Sequence, residues 1–171
     1  MLKFLGALII IGTTSGIGWI LAKQYSDRPR QLRQIRTALQ SLESEIVYSL
    51  TPISEAAGTI AKQLPSPVKR MFANFAERLD EERSTAEDAW AQTLEAFWPH
   101  TALKNTEKEI LLQFGSTLGK HDSDNQTKQI RLTLSHLERE EQEAKDIQLK
   151  YEKMTKSLGF LSGVLLVLLL F

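Results

Sequence analysis

Apolar residues crowd the two ends of this chain and recur at helical intervals between them. Phe4 to Ala22 carries no charge, over a length close to the roughly 20 residues that take a helix across about 30 Å of hydrocarbon. Leu158 to Phe171 is also uncharged but shorter. Lys150, Lys153 and Lys156 on its near side can lay their methylenes along an apolar boundary while their ammonium groups reach headgroups. Val164 to Phe171 lacks the polar face that a core helix keeps, which favours membrane insertion over burial. The pattern therefore predicts transmembrane helices at residues 1–23 and 157–171. Lys23, Arg28, Arg30, Arg33 and Arg36 follow the first run against Asp27 alone, and such a cluster resists translocation. Residues 26–156 are thus expected in the cytoplasm, against the rival reading of a signal peptide cleaved near Ala22.

Between the ends the spacing is that of amphipathic helices. Asp27-Arg28-Pro29 is a helix start, proline being tolerated in a first turn, and Leu32, Ile35, Leu39, Leu42, Ile46 and Leu50 then line one face. Thr51-Pro52 opens a second helix, with Ile53, Ala56, Ala57, Ile60 and Leu64 inward, which Pro65 stops. Pro67 opens a third, carrying Val68, Met71, Phe72, Phe75 and Leu79. Ser84-Thr85-Ala86-Glu87 reads as a capping box for a fourth, with Ala86, Ala89, Trp90, Leu94 and Phe97 as its stripe and Trp98-Pro99 as its close. Thr106-Glu107-Lys108-Glu109 reads as another box, before Ile110, Leu111, Phe114 and Leu118, with Gly119 ending the helix. After the polar loop Lys120 to Asn125, Ser123 and Gln126 cap a last helix whose Ile130, Leu137, Ala144, Tyr151 and Leu158 fall seven apart. That helix has no breaker before Gly159 and, continued to Phe171, is roughly 70 Å long. No sustained alternation suggests a strand. The class is all-α, roughly a six-helix bundle between two membrane helices.

Composition narrows the chemistry. Lys plus Arg equals Asp plus Glu at 21 each, so no global field recruits nucleic acid. The chain has no cysteine, which removes disulfides, thiolate metal sites and a thiol nucleophile. His100, His121 and His136 form no spaced pair of metal ligands, and neither a metal nor a cofactor is expected. Asp80-Glu81-Glu82 and Glu138-Arg139-Glu140-Glu141 read as solvated helix faces. Asn125-Gln126-Thr127 matches a glycosylation acceptor, idle in a bacterial cytoplasm. Leu8 to Gly18 looks like the glycine-rich turn of short-chain dehydrogenases. That turn works only between a buried strand and a helix, and the Tyr-x-x-x-Lys pair of those enzymes is missing. Gly12 and Gly16 instead make a Gly-x-x-x-Gly face suited to close approach by another membrane helix. Trp90 and Phe97 are expected in the core. Arg28, Arg30, Arg33 and Arg36 are read as a juxtamembrane cluster that sets topology and attracts headgroups, with docking as a lesser role.

The segments Lys23-Gln-Tyr-Ser-Asp-Arg-Pro-Arg-Gln-Leu-Arg33 and Leu42-Glu-Ser-Glu-Ile-Val-Tyr-Ser-Leu-Thr-Pro-Ile53, with the apolar tail, resemble the stage III sporulation protein AB family of endospore-forming bacteria. The resemblance runs from end to end. Leu50-Thr-Pro-Ile-Ser-Glu-Ala56 is also similar to the Leu-Pro-Leu-x-x-Ala turn in the cytoplasmic domain of the type II secretion F platform family, where the last helix likewise leads into membrane. The resemblance implies a non-catalytic platform subunit of the secretion-like channel between mother cell and forespore. Its partners would be sibling sporulation stage III proteins, including a secretion-like ATPase. Its place would be the outer forespore membrane, with the helical domain in the mother-cell cytoplasm. The platform family usually carries two such domains where this chain has one, so its oligomeric arrangement does not transfer. The alternative is a freestanding membrane-anchored helical adaptor or scaffold outside a secretion machine.

Overall fold

The computed structural model describes residues 2–45, 51–81, 85–119 and 123–170. They form α1 (Leu2–Ser44), α2 (Ile53–Gln63), α3 (Val68–Leu79), α4 (Ala86–Phe97), a 3₁₀ turn (Trp98–His100), α5 (Asn105–Gly115) and α6 (Ser123–Leu170), with no strand among them. The all-α class and the six helices agree with the periodicity. The chain falls into two compact units, residues 30–141 and residues 1–29 with 142–171. Helices α1 and α6 contribute to both.

In the unit of residues 30–141, α1 carries Leu32, Ile35, Leu39 and Leu42 and α6 carries Ile130 and Leu137, all fully buried. The two run antiparallel, as Arg33 pairs with Glu141, Arg36 with Glu138 and Glu43 with Arg131. Helix α2 packs on α3, α3 on α4, and α4 on α5. Pro65 stops α2 as expected, because the residue before a proline is driven from helical to extended backbone, and Leu64 sits at φ −99° and ψ 148°. The predicted stripe of α3 is buried at Val68, Met71, Phe72 and Phe75.

Three helix starts differ from the expected ones. Helix α1 does not begin at Asp27: it holds Pro29 in its interior, where the ring removes the bond an N–H would donate to the Tyr25 carbonyl. At α4 the cap is Thr85, one residue beyond the expected serine, because its hydroxyl accepts the Asp88 N–H at 3.1 Å. At α5 the start moves two residues earlier, because the buried Glu107 carboxylate reaches back to accept the Lys104 N–H at 2.6 Å. Helix α5 ends at Gly115, and Gly119 follows with φ +73°, a left-handed conformation that glycine adopts without steric cost. Ile46, Tyr48, Leu50, Ser84, the stretch Lys120 to Asp122 and Phe171 lie outside the described residues.

The centre of this unit is Trp90, fully buried, with its ring met edge-on by Phe75 at 4.9 Å, Phe114 at 5.4 Å and Phe72 at 5.9 Å. Edge-to-face contacts set the positive rim of one ring against the negative face of another. The indole N–H donates to the Leu111 carbonyl at 2.7 Å, which removes the penalty of burying it. Gly115 lets the indole approach α5 closely, since a Cβ there would overlap indole Cδ1 and come within 2.9 Å of Cγ. Gly115→Ala should therefore destabilise the folded chain by about 1–3 kcal/mol through overpacking. Denaturant unfolding followed by Trp fluorescence measures it, and an unchanged midpoint would refute this account of the core.

Candidate functional site

The second unit pairs the start of α1 with the end of α6, and glycine decides how closely they approach. A Cβ on Gly18 would lie 3.1 Å from the Gly159 Cα and 3.1 Å from the Thr155 carbonyl oxygen. A Cβ on Gly159 would lie 3.0 Å from the Gly18 Cα and 3.0 Å from the Thr14 carbonyl oxygen. One turn further along α6, a Cβ on Gly163 would overlap the Thr14 hydroxyl and lie 3.0 Å from the Ile11 Cα. The two backbones thus touch, a distance only glycine permits. The Gly-x-x-x-Gly pair used inside this chain is Gly159 and Gly163. Gly12 and Gly16 are exposed, with nothing within 4 Å of where a side chain would begin. The glycine-rich segment Leu8 to Gly18 lies within α1, so the strand-to-helix turn of a dehydrogenase is not formed.

Several large apolar side chains of this unit point away from the crossing. Ile17, Trp19, Ile20, Leu161, Leu168 and Leu169 are all more than half exposed. Among the described residues, however, no helix is long and apolar enough to cross a membrane. Polar side-chain contacts between α1 and α6 are found beyond the apolar part. The Tyr25 and Tyr151 rings stack at 6.0 Å, and Gln148 donates to the Ser26 hydroxyl at 3.2 Å and to Glu152 at 2.9 Å. The Lys156 ammonium, donating at 2.7 Å, and then the Gln148 amide hold the Glu152 carboxyl below its ordinary pKa, against a smaller opposing effect of burial. Arg28 is buried here and pairs with Glu143 at 3.6 Å.

In the unit of residues 30–141, Arg33 and Arg36 meet the acidic run of α6. Arg36 reaches Glu141 at 2.7 Å and Glu138 at 3.1 Å, and Arg33 reaches Glu141 at 3.3 Å; Arg30 is exposed. The acidic run is accordingly not a solvated face throughout. Glu140 and Glu141 are only 6% and 2% exposed, because cationic side chains of α1 offset the loss of water around Glu141. Sequence reasoning missed this pairing, although the i, i+3 spacing of Arg33 and Arg36 matches that of Glu138 and Glu141 and both pairs flank apolar stripes.

No group of three or more His, Cys, Asp or Glu side chains among the described residues is placed to hold a metal ion. His100 and His136 are exposed, and His121 lies outside the described residues. Trp90 and Phe97 are in the core, whereas Trp98 is half-buried with the Lys108 ammonium 5.9 Å from its ring centroid. What the arrangement does is grip: a carboxylate held by two guanidiniums in one unit, and a backbone crossing in the other. Glu141→Gln should cost about 2–3 kcal/mol of stability, somewhat below a fully buried pair because Arg33 keeps contact with water. Glu138→Gln, its carboxylate exposed, should cost less than about 1 kcal/mol. Equal losses in parallel denaturant titrations would contradict this ranking.

A family model described as Stage III sporulation protein AB matches residues 3–171. The chain is 52% identical over 170 residues to Stage III sporulation protein AB of Bacillus subtilis (strain 168), an alignment covering 99% of each. A solved structure of Stage III sporulation protein AB (SpoIIIAB) superposes with a TM-score of 0.70 at 48% identity, covering 72% of this chain and 98% of that one.

Proposed function

Because the chain belongs to the stage III sporulation protein AB family, we propose that it is a non-catalytic platform subunit of the mother cell–forespore channel complex required for endospore formation. In this reading residues 1–23 and 157–171 lie in the outer forespore membrane and residues 26–156 face the mother-cell cytoplasm. Its partners are sibling stage III proteins, among them a secretion-like ATPase.

One observation carries the membrane half of the proposal. In the unit of residues 1–29 with 142–171, Gly18, Gly159 and Gly163 face inward and Ile17, Trp19, Ile20, Leu161, Leu168 and Leu169 face outward, the reverse of a fold that hides apolar surface from water. Hydrocarbon is the surrounding that such an exterior suits, and small residues at the contact are how membrane helices pack. Although no helix of the described residues is long and apolar enough to cross a membrane, the uncharged run from Phe4 to Ala22 is close to a span in residue count, and the basic residues on the inner flank of both runs agree on one topology. The assembly half rests on family membership and on a soluble unit that brings together ion pairs and an aromatic core. Gly12 and Gly16 remain open for a membrane helix of another subunit.

Deleting the gene in a sporulating host should leave growth untouched and arrest sporulation after engulfment, scored by heat-resistant spore counts and membrane-stained microscopy. Normal spore counts would overturn the proposal. The two glycine pairs should separate. Gly12→Leu with Gly16→Leu should lower co-purification of partner subunits while the chain still fractionates with membranes. Gly159→Leu should disturb the chain's own helix pair, measured as faster proteolysis of the detergent-solubilised protein. Unchanged co-purification in the first variant removes the docking role of that face.

A further inference from the structure

Arg70 and Asn74 lie one turn apart on α3, and His100 ends the 3₁₀ turn that follows α4. The three line a single cleft of about 80 Å³, whose apolar wall includes the buried Met71 and Phe97. The turn that presents His100 is fixed, since Thr101 donates to the Trp98 carbonyl both through its N–H at 3.1 Å and through its hydroxyl at 3.0 Å.

Two polar pairs nearby on α3, α4 and α5 are already engaged. Arg78 donates to Gln92 at 2.7 Å, and Lys108 pairs with Glu95 at 2.8 Å. Among the described residues the side chains of Arg70, Asn74 and His100 make no hydrogen bond or ion pair, and all three are exposed. Among the described residues no carboxylate lines the cleft. It therefore presents a guanidinium fork, an imidazole and an amide, all able to donate, beside an apolar wall that limits water.

We propose that this cleft receives a glutamate or aspartate side chain of a partner protein, with Arg70 as its principal clamp. The inference rests on the reading of the chain as an assembly subunit and names the surface that subunit uses. Charge complementarity selects the ligand: a planar carboxylate matches a guanidinium bidentately, and arginine beside buried apolar side chains is a common centre of binding energy. Size selects against small cofactors, whose pockets run to about 300–1,000 Å³. A carboxylate on one or two methylenes fits the room available.

The test uses the full chain, expressed at its native level in a sporulating host lacking its own copy. Arg70→Glu should lower heat-resistant spore yield roughly tenfold or more, the scale of losing a central arginine contact. Arg70→Lys, which keeps the charge and loses the fork, should fall between Arg70→Glu and the native chain. Lys69→Glu changes charge equally at the adjacent exposed residue outside the cleft and should sporulate normally. In the detergent-solubilised chain, a capped Leu-Glu dipeptide should shift the His100 imidazole NMR signals while its Leu-Gln counterpart should not, and Arg70→Glu should abolish the difference. Native spore yield from Arg70→Glu, where deletion blocks sporulation, overturns the cleft and leaves the proposed function standing. Normal sporulation of the deletion strain removes both. Equal defects in Lys69→Glu and Arg70→Glu, a defect that follows loss of the chain from the membrane fraction, or equal responses to the two dipeptides also overturn it.

Discussion

Burying the Glu141 carboxylate is costly unless cations replace the water it loses, and Arg33 and Arg36 both reach it from the far end of the sequence. In the unit of residues 30–141 this contact sets the register of α1 against α6. A displacement of one helical turn would leave the carboxylate buried without its guanidiniums. The apolar stripes Leu32 to Leu42 and Ile130 to Leu137 are chemically uniform and would pack acceptably in several registers. Charge thus supplies the choice among arrangements that hydrophobic burial leaves open, while burial supplies most of the stabilisation.

The same two helices meet again in the other unit under a different rule. There Gly18, Gly159 and Gly163 allow backbone contact within uncharged stretches of sequence. The contrast follows the surroundings proposed for each. In water, apolar side chains gain by leaving solvent, so a helix pair can rest on leucine and isoleucine. In hydrocarbon that gain disappears, and close van der Waals approach of small residues takes its place. One pair of helices can answer to both solvents because its contact residues change along its length.

Much of the unit of residues 30–141 was legible because the governing signals are local. Val68, Met71, Phe72 and Phe75 fall on one face of α3 by spacing alone, and Pro65 marks the end of α2 by steric exclusion. Caps were less readable. Thr85 with Asp88 competes with Ser84 and Glu87 for one helix start, and which wins depends on where the chain must turn. Pro29 misled for a related reason: proline opens helices well, yet α1 retains it in its interior. Partnerships between distant segments were the hardest. Gly12 and Gly16 carry the same spacing as Gly159 and Gly163, and sequence offers no reason why the chain folds upon the second pair. The acidic run at Glu138 to Glu141 looked solvated because its arginine partners lie more than a hundred positions away.

That separation bears on how the chain is made. Arg36 leaves the ribosome 105 residues before Glu141, so at roughly 5–20 residues per second its counter-ion arrives about 5–20 s later. Over that interval the greasy flank of α1 waits uncovered by its eventual neighbour. Completion of the bundle consequently waits on the synthesis of α6. A chain truncated before α6 would lack the means to close, however sound its remaining helices.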